Sequence, residues 1–437
     1  MQPSMNLTQR RMSLQRFRRL SAIVTVLLSL FLGGQDSALA ADLWFVDGED
    51  LIRVESGVTT VAGMLPGSGV GVAVSADGEV WVASRDEPRL RKFDSTGDLI
   101  LDLLTAAPLQ GIAVDVDGSL WATRPTLDDV WHIGTDGTDL GSWPVGNVPY
   151  GVAIDSEGVV WVANSFGNSV TRIDSSSGAT TEIPVGFFPS HLTAGIDGTI
   201  WIAEKESVRR LSADGNLLGV TPALGFPLGI AVDRSGQVWV ANQNTHDVTV
   251  FSPDGSTSTT IPTGFLPQGV GASGDGTVYV LCRFDGEVRR YTMTGDWIET
   301  ISAGYPIGLG DLTGLGHALT VDPHGDHDGD GTSNRIEAEL GFNPLDAASS
   351  PVEFVRGDAN LDGTVEFLDA LLALETLFGL EVSSCPEALD VNDDTVLDLA
   401  DPVYLLGFLM GAGPAPFAPF PVAGPDPTPL VGYPCLD

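Results

Sequence analysis

An aromatic residue returns about every forty positions through the first two thirds of this chain: Trp44, Trp81, Trp121, Trp161, Trp201, Trp239 and Tyr279, at intervals of 37, 40, 40, 40, 38 and 40 residues. Ten residues ahead of most of them a glycine opens a short apolar run, as in GVAVSADGEVW from Gly71, GIAVDVDGSLW from Gly111, GVAIDSEGVVW from Gly151, GIAVDRSGQVW from Gly229 and GVGASGDGTVY from Gly269. In the fifth unit His191 stands where the others have glycine. The alternation within each unit suits short strands. Asp117-Gly118, Asp197-Gly198 and Asp275-Gly276 mark one set of hairpin turns, and Asp136-Gly137, Asp214-Gly215 and Asp254-Gly255 a second. A unit with three or four strands cannot bury its own faces, so the units must stack, and this period is that of a β-propeller.

The ends of the repeat set the blade number. The first unit begins at Leu43-Trp44 without a preceding glycine-led strand, and a strand of that kind, Ile307 to Leu312, is left over after the last unit. That strand is predicted to complete the first blade, closing a ring of seven and removing the open sheet edge. His317 to Val321 reads as a further strand or a spacer. The repeated Trp is predicted to be core: about 200 Å² buried at about 25 cal/mol/Å² is an upper contribution of about 5 kcal/mol per ring.

Residues 1–40 read as a secretory signal, with Arg10, Arg11, Arg16, Arg18 and Arg19 before an apolar run from Leu20 to Leu32 and Ala38-Leu39-Ala40 as the cleavage site. The run falls short of the roughly 20 residues needed to span a bilayer, so a secreted, soluble mature chain with no membrane span is expected. The chain carries 58 acidic against 21 basic residues, a charge of -37, which excludes nucleic acid as a partner. Export favours oxidation; Cys385 and Cys435 share the C-terminal segment and are expected to form a disulfide, leaving Cys282 as a buried thiol.

Beyond Asp322 the composition changes, with 22 acidic residues against two arginines in residues 322–437. Asp326, Asp328, Asp330, Asn334 and Glu337 place oxygens at positions one, three, five, nine and twelve of a loop with glycine at six, which suits a hard cation in an oxygen cage. The spacing recurs at Asp358, Asn360, Asp362, Glu366 and Asp369, and again at Asp390, Asn392, Asp394, Asp398 and Asp401, where Thr395 holds the glycine position. Each of these two loops precedes an apolar helix, Ala370 to Phe378 and Pro402 to Met410. Calcium is the expected ion, since magnesium takes few protein ligands.

The forty-residue units resemble NHL-type and virginiamycin B lyase-like propellers. The loop ending at Glu337 resembles a thrombospondin type 3-like calcium repeat, and the duplicated loop-helix units resemble a dockerin module. The expected organisation is mainly β: a seven-bladed propeller over 41–321, a calcium-loop segment over 322–346, and a small α dockerin-like domain over 347–437. The dockerin resemblance implies a cohesin-like or cell-surface partner. Its recognition pairs here are Phe367-Leu368 and Leu399-Ala400 instead of hydroxyl residues.

The lyase resemblance implies histidines and a glutamate with a divalent metal at the channel mouth. His191 and Glu204 are the nearest matches, but the family's histidine place is held by Ser190, and the series Ser84, Arg124, Asn164, Glu204, Asn242, Cys282 supplies no second carboxylate. His246, His317, His324 and His327 read as solvated loop residues. The sequence therefore favours a binding or scaffold protein for a glycan or protein ligand over a carbon-oxygen lyase or polysaccharide-acting enzyme.

Overall fold

The computed structural model describes residues 43–423 apart from 56, 66–68, 76–77, 223–224, 331, 341, 347–348, 350–353, 379–384 and 395. The signal segment expected at 1–40 lies outside the described residues, as does Cys435 and with it the expected pairing to Cys385; Cys282 is free and buried.

The repeats fold as seven four-stranded antiparallel sheets. Blades two to seven begin with an inner strand, at Gly69–Val74, Ile112–Val114, Pro149–Ile154, His191–Ala194, Pro227–Val232 and Pro267–Ala272, and run outward strand by strand. In the first blade the inner strand comes from the far end of the ring. Pro306–Ile307 pairs antiparallel with Leu43–Asp47, Val46 opposite Ile307 and Asp47 opposite Pro306, so the leftover strand closes the ring as expected. The Asp47 carboxylate secures the junction by accepting the amides of Gly304 and Tyr305 at 2.7 and 2.6 Å. Leu309 and Asp311 then run beside blade two, where their carbonyls accept the amides of Val72 and Val74.

The segment His317–Val321 is neither a strand nor a spacer. It is a short π-helix with four of its five residues buried. Ala318 donates to the Gly314 carbonyl and Asp322 to that of His317, so the chain satisfies its backbone internally while crossing the end of the channel. Leu315 and Leu319 pack into the core shared by blades six and seven, and Val321 against the cluster around Trp121 and Val152.

The repeated ring sits in the second strand of every blade and is almost fully buried, at most 3% exposed. In most blades its cross-strand neighbour covers it: Arg53 opposite Trp44, Lys92 opposite Trp81, Arg172 opposite Trp161, Arg210 opposite Trp201 and Arg290 opposite Tyr279 place a cation over the ring. In blade three His132 stacks on Trp121 at 4.2 Å instead. Six residues before the ring, Asp115, Asp155 and Asp233 accept its indole N–H at 2.8–2.9 Å. The last two also accept turn amides through the other carboxylate oxygen, so one side chain fixes both turn and core ring.

After the propeller come α1 (Asn334–Leu340), α2 (Phe367–Leu377) and α3 (Ala400–Leu409). The second starts three residues before the expected Ala370 because Glu366 and Asp369 form a reciprocal capping box. Ala370 and Leu405 bring α2 and α3 together around Val391. Arg356, fully buried, donates to the carbonyls of Asp390 and Ala418 and pairs with Asp393 at 3.0 Å, joining the last loop to the chain beyond α3. Among the described residues no helix is long and apolar enough to cross a membrane.

Candidate functional site

The inner strands begin at one end of the ring, here called the mouth, and line a channel that the π-helix crosses at the other end. Near the mouth the strands converge so closely that a side chain has almost no room. A Cβ on Gly151 would lie 2.8 Å from the His191 Cα and 2.9 Å from the Ser190 carbonyl oxygen; one on Gly71 would lie 2.9 Å from the Gln110 carbonyl oxygen. This crowding is the physical reason for the glycine that opens each unit. In blade five the place is taken by His191, which lines the channel, is 6% exposed, and has both ring nitrogens unpartnered. The Tyr150 ring meets it edge-on at 6.4 Å.

Burial first, and the nearby Arg85 charge second, hold the His191 imidazole well below its ordinary range, at about 4. An unfolded chain takes up a proton near pH 6.5 that the folded one refuses until about pH 4. Stability is therefore complete above pH 6.5 and declines as the pH falls towards 4, by at most about 3 kcal/mol. Denaturant unfolding at pH 7 and 4.5 checks this: His191→Gln is expected to lose less stability between the two than wild type, and equal losses would refute it.

Glu204 does not share this channel position. Its buried carboxylate accepts the Gly186 amide at 2.7 Å, the Ser207 hydroxyl and the Arg209 guanidinium, with which it forms an ion pair. Equivalent places follow the same pattern: Arg124 binds Asp129, Asn164 binds Ser169 and Thr171, and Asn242 binds Asp247 and Thr249. In blades three to six this position ties the second strand to the third, whereas the Ser84 hydroxyl has no partner and Cys282 turns to Thr263 and Val280. Glu204 is bound into that tie, and the structure does not bring His191 and Glu204 together as a metal or acid-base pair.

Two of the histidines read as solvated loop residues are engaged instead, His317 buried and His327 half-buried. The Asp115 carbonyl can only accept, so His317 Nε2–H donates to it at 3.1 Å, leaving His317 Nδ1 to accept from His327 Nε2–H at 3.0 Å. His327 Nδ1 then accepts from the Asn334 amide at 2.7 Å. Asn334 also donates to the Asp322 carbonyl and accepts the His327 backbone N–H. Buried and fully engaged, Asn334 connects the first acidic loop to blade three; as a side-chain ligand its amide is already committed. The sequence holds no spacing signal for this chain of contacts. His246 accepts the Leu266 amide and lies against Phe265.

In that first loop the carboxylates of Asp326, Asp328 and Asp330 converge, with ligand atoms within 4.8 Å of one another. Glu337 is fully buried behind them, and both its oxygens are unpartnered, as is one oxygen each of Asp328 and Asp330. Burial, then the neighbouring Asp328, Asp330 and Asp326, push the Glu337 carboxyl up to about 8. A buried carboxylate without donors that faces unpartnered oxygens of Asp328 and Asp330 fits a divalent cation.

The other two loops are near copies of each other. Asp362 accepts Thr364 and Asp394 accepts Val396, while Asp358 and Asp390 accept the amides of Asp362 and Asp394. Asn360 and Asn392 accept those same amides. Buried Asp369 accepts the amides of Ala359, Asn360 and Glu366, and buried Asp401 those of Asn392 and Asp398, so each ties its loop to the following helix. Burial raises both carboxyls, Asp401 to about 6. Glu366 and Asp398 lie exposed at the rims, and Thr395 is outside the described residues.

The model of the Virginiamycin B lyase family matches residues 59–264, a span wholly inside the propeller. A search of curated proteins finds no match. Among solved structures, a streptogramin B lyase is 18% identical with a TM-score of 0.52, covering 55% of this chain and 86% of that one. A catalytically inactive virginiamycin B lyase from Staphylococcus aureus with quinupristin is also 18% identical, with a TM-score of 0.51 over 56% of this chain and 89% of that one. A functionally unknown protein from Desulfotomaculum acetoxidans DSM 771 is 16% identical, with a TM-score of 0.53 over 62% of this chain and all of that one. At these identities the likeness is one of fold.

Proposed function

We propose that the propeller, related to virginiamycin B lyase, is a secreted binding module that presents a ligand site at its channel mouth and uses calcium to fold its C-terminal loops. The observation that carries the binding reading is the state of the two catalytic candidates. The charge acting on His191 is the Arg85 guanidinium, and Glu204 is held by Arg209, Ser207 and Gly186. A metal-assisted elimination needs a base and a carboxylate that reach the same substrate. The calcium part is supported by Asp326, Asp328, Asp330 and buried Glu337, with Asp358, Asn360, Asp362, Asp390, Asn392 and Asp394 as the corresponding oxygens of the later loops. The exposed pairs Phe367-Leu368 and Leu399-Ala400 would face a cohesin-like or cell-surface partner.

The second reading, a carbon-oxygen lyase, rests on the family match over 59–264. The two are separated by screening lactone, ester and uronate substrates with magnesium or calcium, using wild type and His191→Ala. The binding reading expects no turnover that depends on His191. Turnover abolished in a folded His191→Ala protein would promote the lyase.

A further inference from the structure

The mouth of the propeller holds two arginines that are braced by neutral groups in a strongly acidic chain. Arg85 donates through Nε to the Gln110 Oε1 at 3.0 Å, and Arg283 through Nη1 to the Gln268 Oε1 at 3.1 Å. Elsewhere in the blades guanidiniums commonly face acids, as in Arg89 with Asp102, Arg124 with Asp129 and Arg290 with Asp275. A glutamine oxygen fixes the orientation of a guanidinium without cancelling its charge. Arg283 is further held over the Tyr305 ring, its guanidinium carbon 4.1 Å from the ring centre, and its buried Nε has no partner. Ser84 pairs with Gly69, and Cys282 with Pro267, at the starts of inner strands, so the residues that follow, Arg85 and Arg283, belong to the same end as His191.

That end also carries apolar rings in the open. Phe166, Phe187, Phe265 and Phe284 are 48–65% exposed. Phe284 touches Tyr305 at 5.7 Å and Phe265 at 6.3 Å, edge to face, while Phe166 meets Phe188 at 5.5 Å. Exposed rings gathered at one end of a soluble fold mark a binding surface. Pyranose rings offer apolar C–H faces for such platforms and hydroxyls at their edges. His191, neutral and unpartnered at the channel neck, can give one hydrogen bond and accept another from hydroxyls.

We propose that the mouth binds a short oligosaccharide containing uronic acid, with Arg85 and Arg283 taking its carboxylates and the exposed rings taking its sugar faces. This rests on the binding reading above. The charge of -37 repels long polyanions, which confines the ligand to short oligomers or chain ends.

The test is calorimetric titration of the full mature chain with trigalacturonic acid, its methyl ester and a neutral cellotriose, in wild type, Arg85→Gln with Arg283→Gln, and Phe284→Ala. The expected result is binding of the acid at least tenfold tighter than the ester, lost at least tenfold in the double arginine variant and weakened in Phe284→Ala, with thermal midpoints unchanged. Equal affinity for acid and ester, or indifference to the arginine variant, overturns the carboxylate assignment. No binding of any of the three sugars overturns the glycan ligand, and a purified protein partner bound through the same rings would replace it. None of these outcomes bears on the lyase question, which the His191→Ala turnover screen decides separately.

Discussion

Adding calcium to the chelated full chain is expected to raise the midpoint of its C-terminal unfolding transition by roughly 10 °C or more, since an ion at a hundred times its Kd contributes about 2.7 kcal/mol per site in a unit of about a hundred residues. The cause is the buried, unpartnered Glu337 carboxyl beside Asp326, Asp328 and Asp330, whose mutual repulsion opposes folding until a cation enters. With its carboxyl at about 8, Glu337 carries a proton at pH 7 when no ion is bound, so binding should expel it. Titration heats measured in two buffers of different ionisation enthalpy will then differ, and Glu337→Gln should remove most of that difference. An unchanged midpoint would sink the calcium assignment. The effect should also reach the propeller, because Asn334, His327 and His317 connect the first loop to blade three and Ala338 and Leu345 pack on the core of blades six and seven.

The second large effect is expected from a single methyl group. Gly151→Ala places a Cβ against the backbone of the next blade, at 2.8 Å from the His191 Cα, where no rotamer change can relieve it. The blades must part or the strand must bend, at a cost of about 3 kcal/mol. Gly219→Ala is the control: a Cβ there meets nothing within 4 Å, on an exposed outer strand. Denaturant unfolding of both variants beside wild type should show a clear loss for the first and almost none for the second. Equal midpoints would mean that the glycine reflects turn preference and not the convergence of the inner strands.

The period of Trp44 to Tyr279, the strand alternation and the Asp-Gly turns determined the propeller, because stacked units must repeat their core residue at the same strand position. The unmatched ends at Leu43 and Ile307 determined its closure, since an open edge strand has to be paired. The acidic spacing identified which oxygens could gather in the first loop, because a tight loop brings positions one, three and five together by local geometry alone.

Other features depend on contacts between residues far apart in the chain. That His191 stands alone in a ring of close-packed strands follows from the convergence of blades that share no sequence neighbourhood, whereas Glu204 is committed within its own blade and the loop leading into it, to Ser207, Arg209 and Gly186. His317 and His327 looked like loop residues because their partners, Asp115 and Asn334, lie on opposite sides of them in the chain. The π-helix at His317–Val321 is buried on four of its five residues, against blades that lie far from it in the chain. Asp369 and Asp401 have ligand spacing, yet each is also engaged by backbone amides of its own loop, which the spacing alone does not reveal. The sequence by itself determined the repeating unit, its number and the local loop geometry; the tertiary structure decided which side chains share the channel mouth, because that depends on how seven separate strands meet.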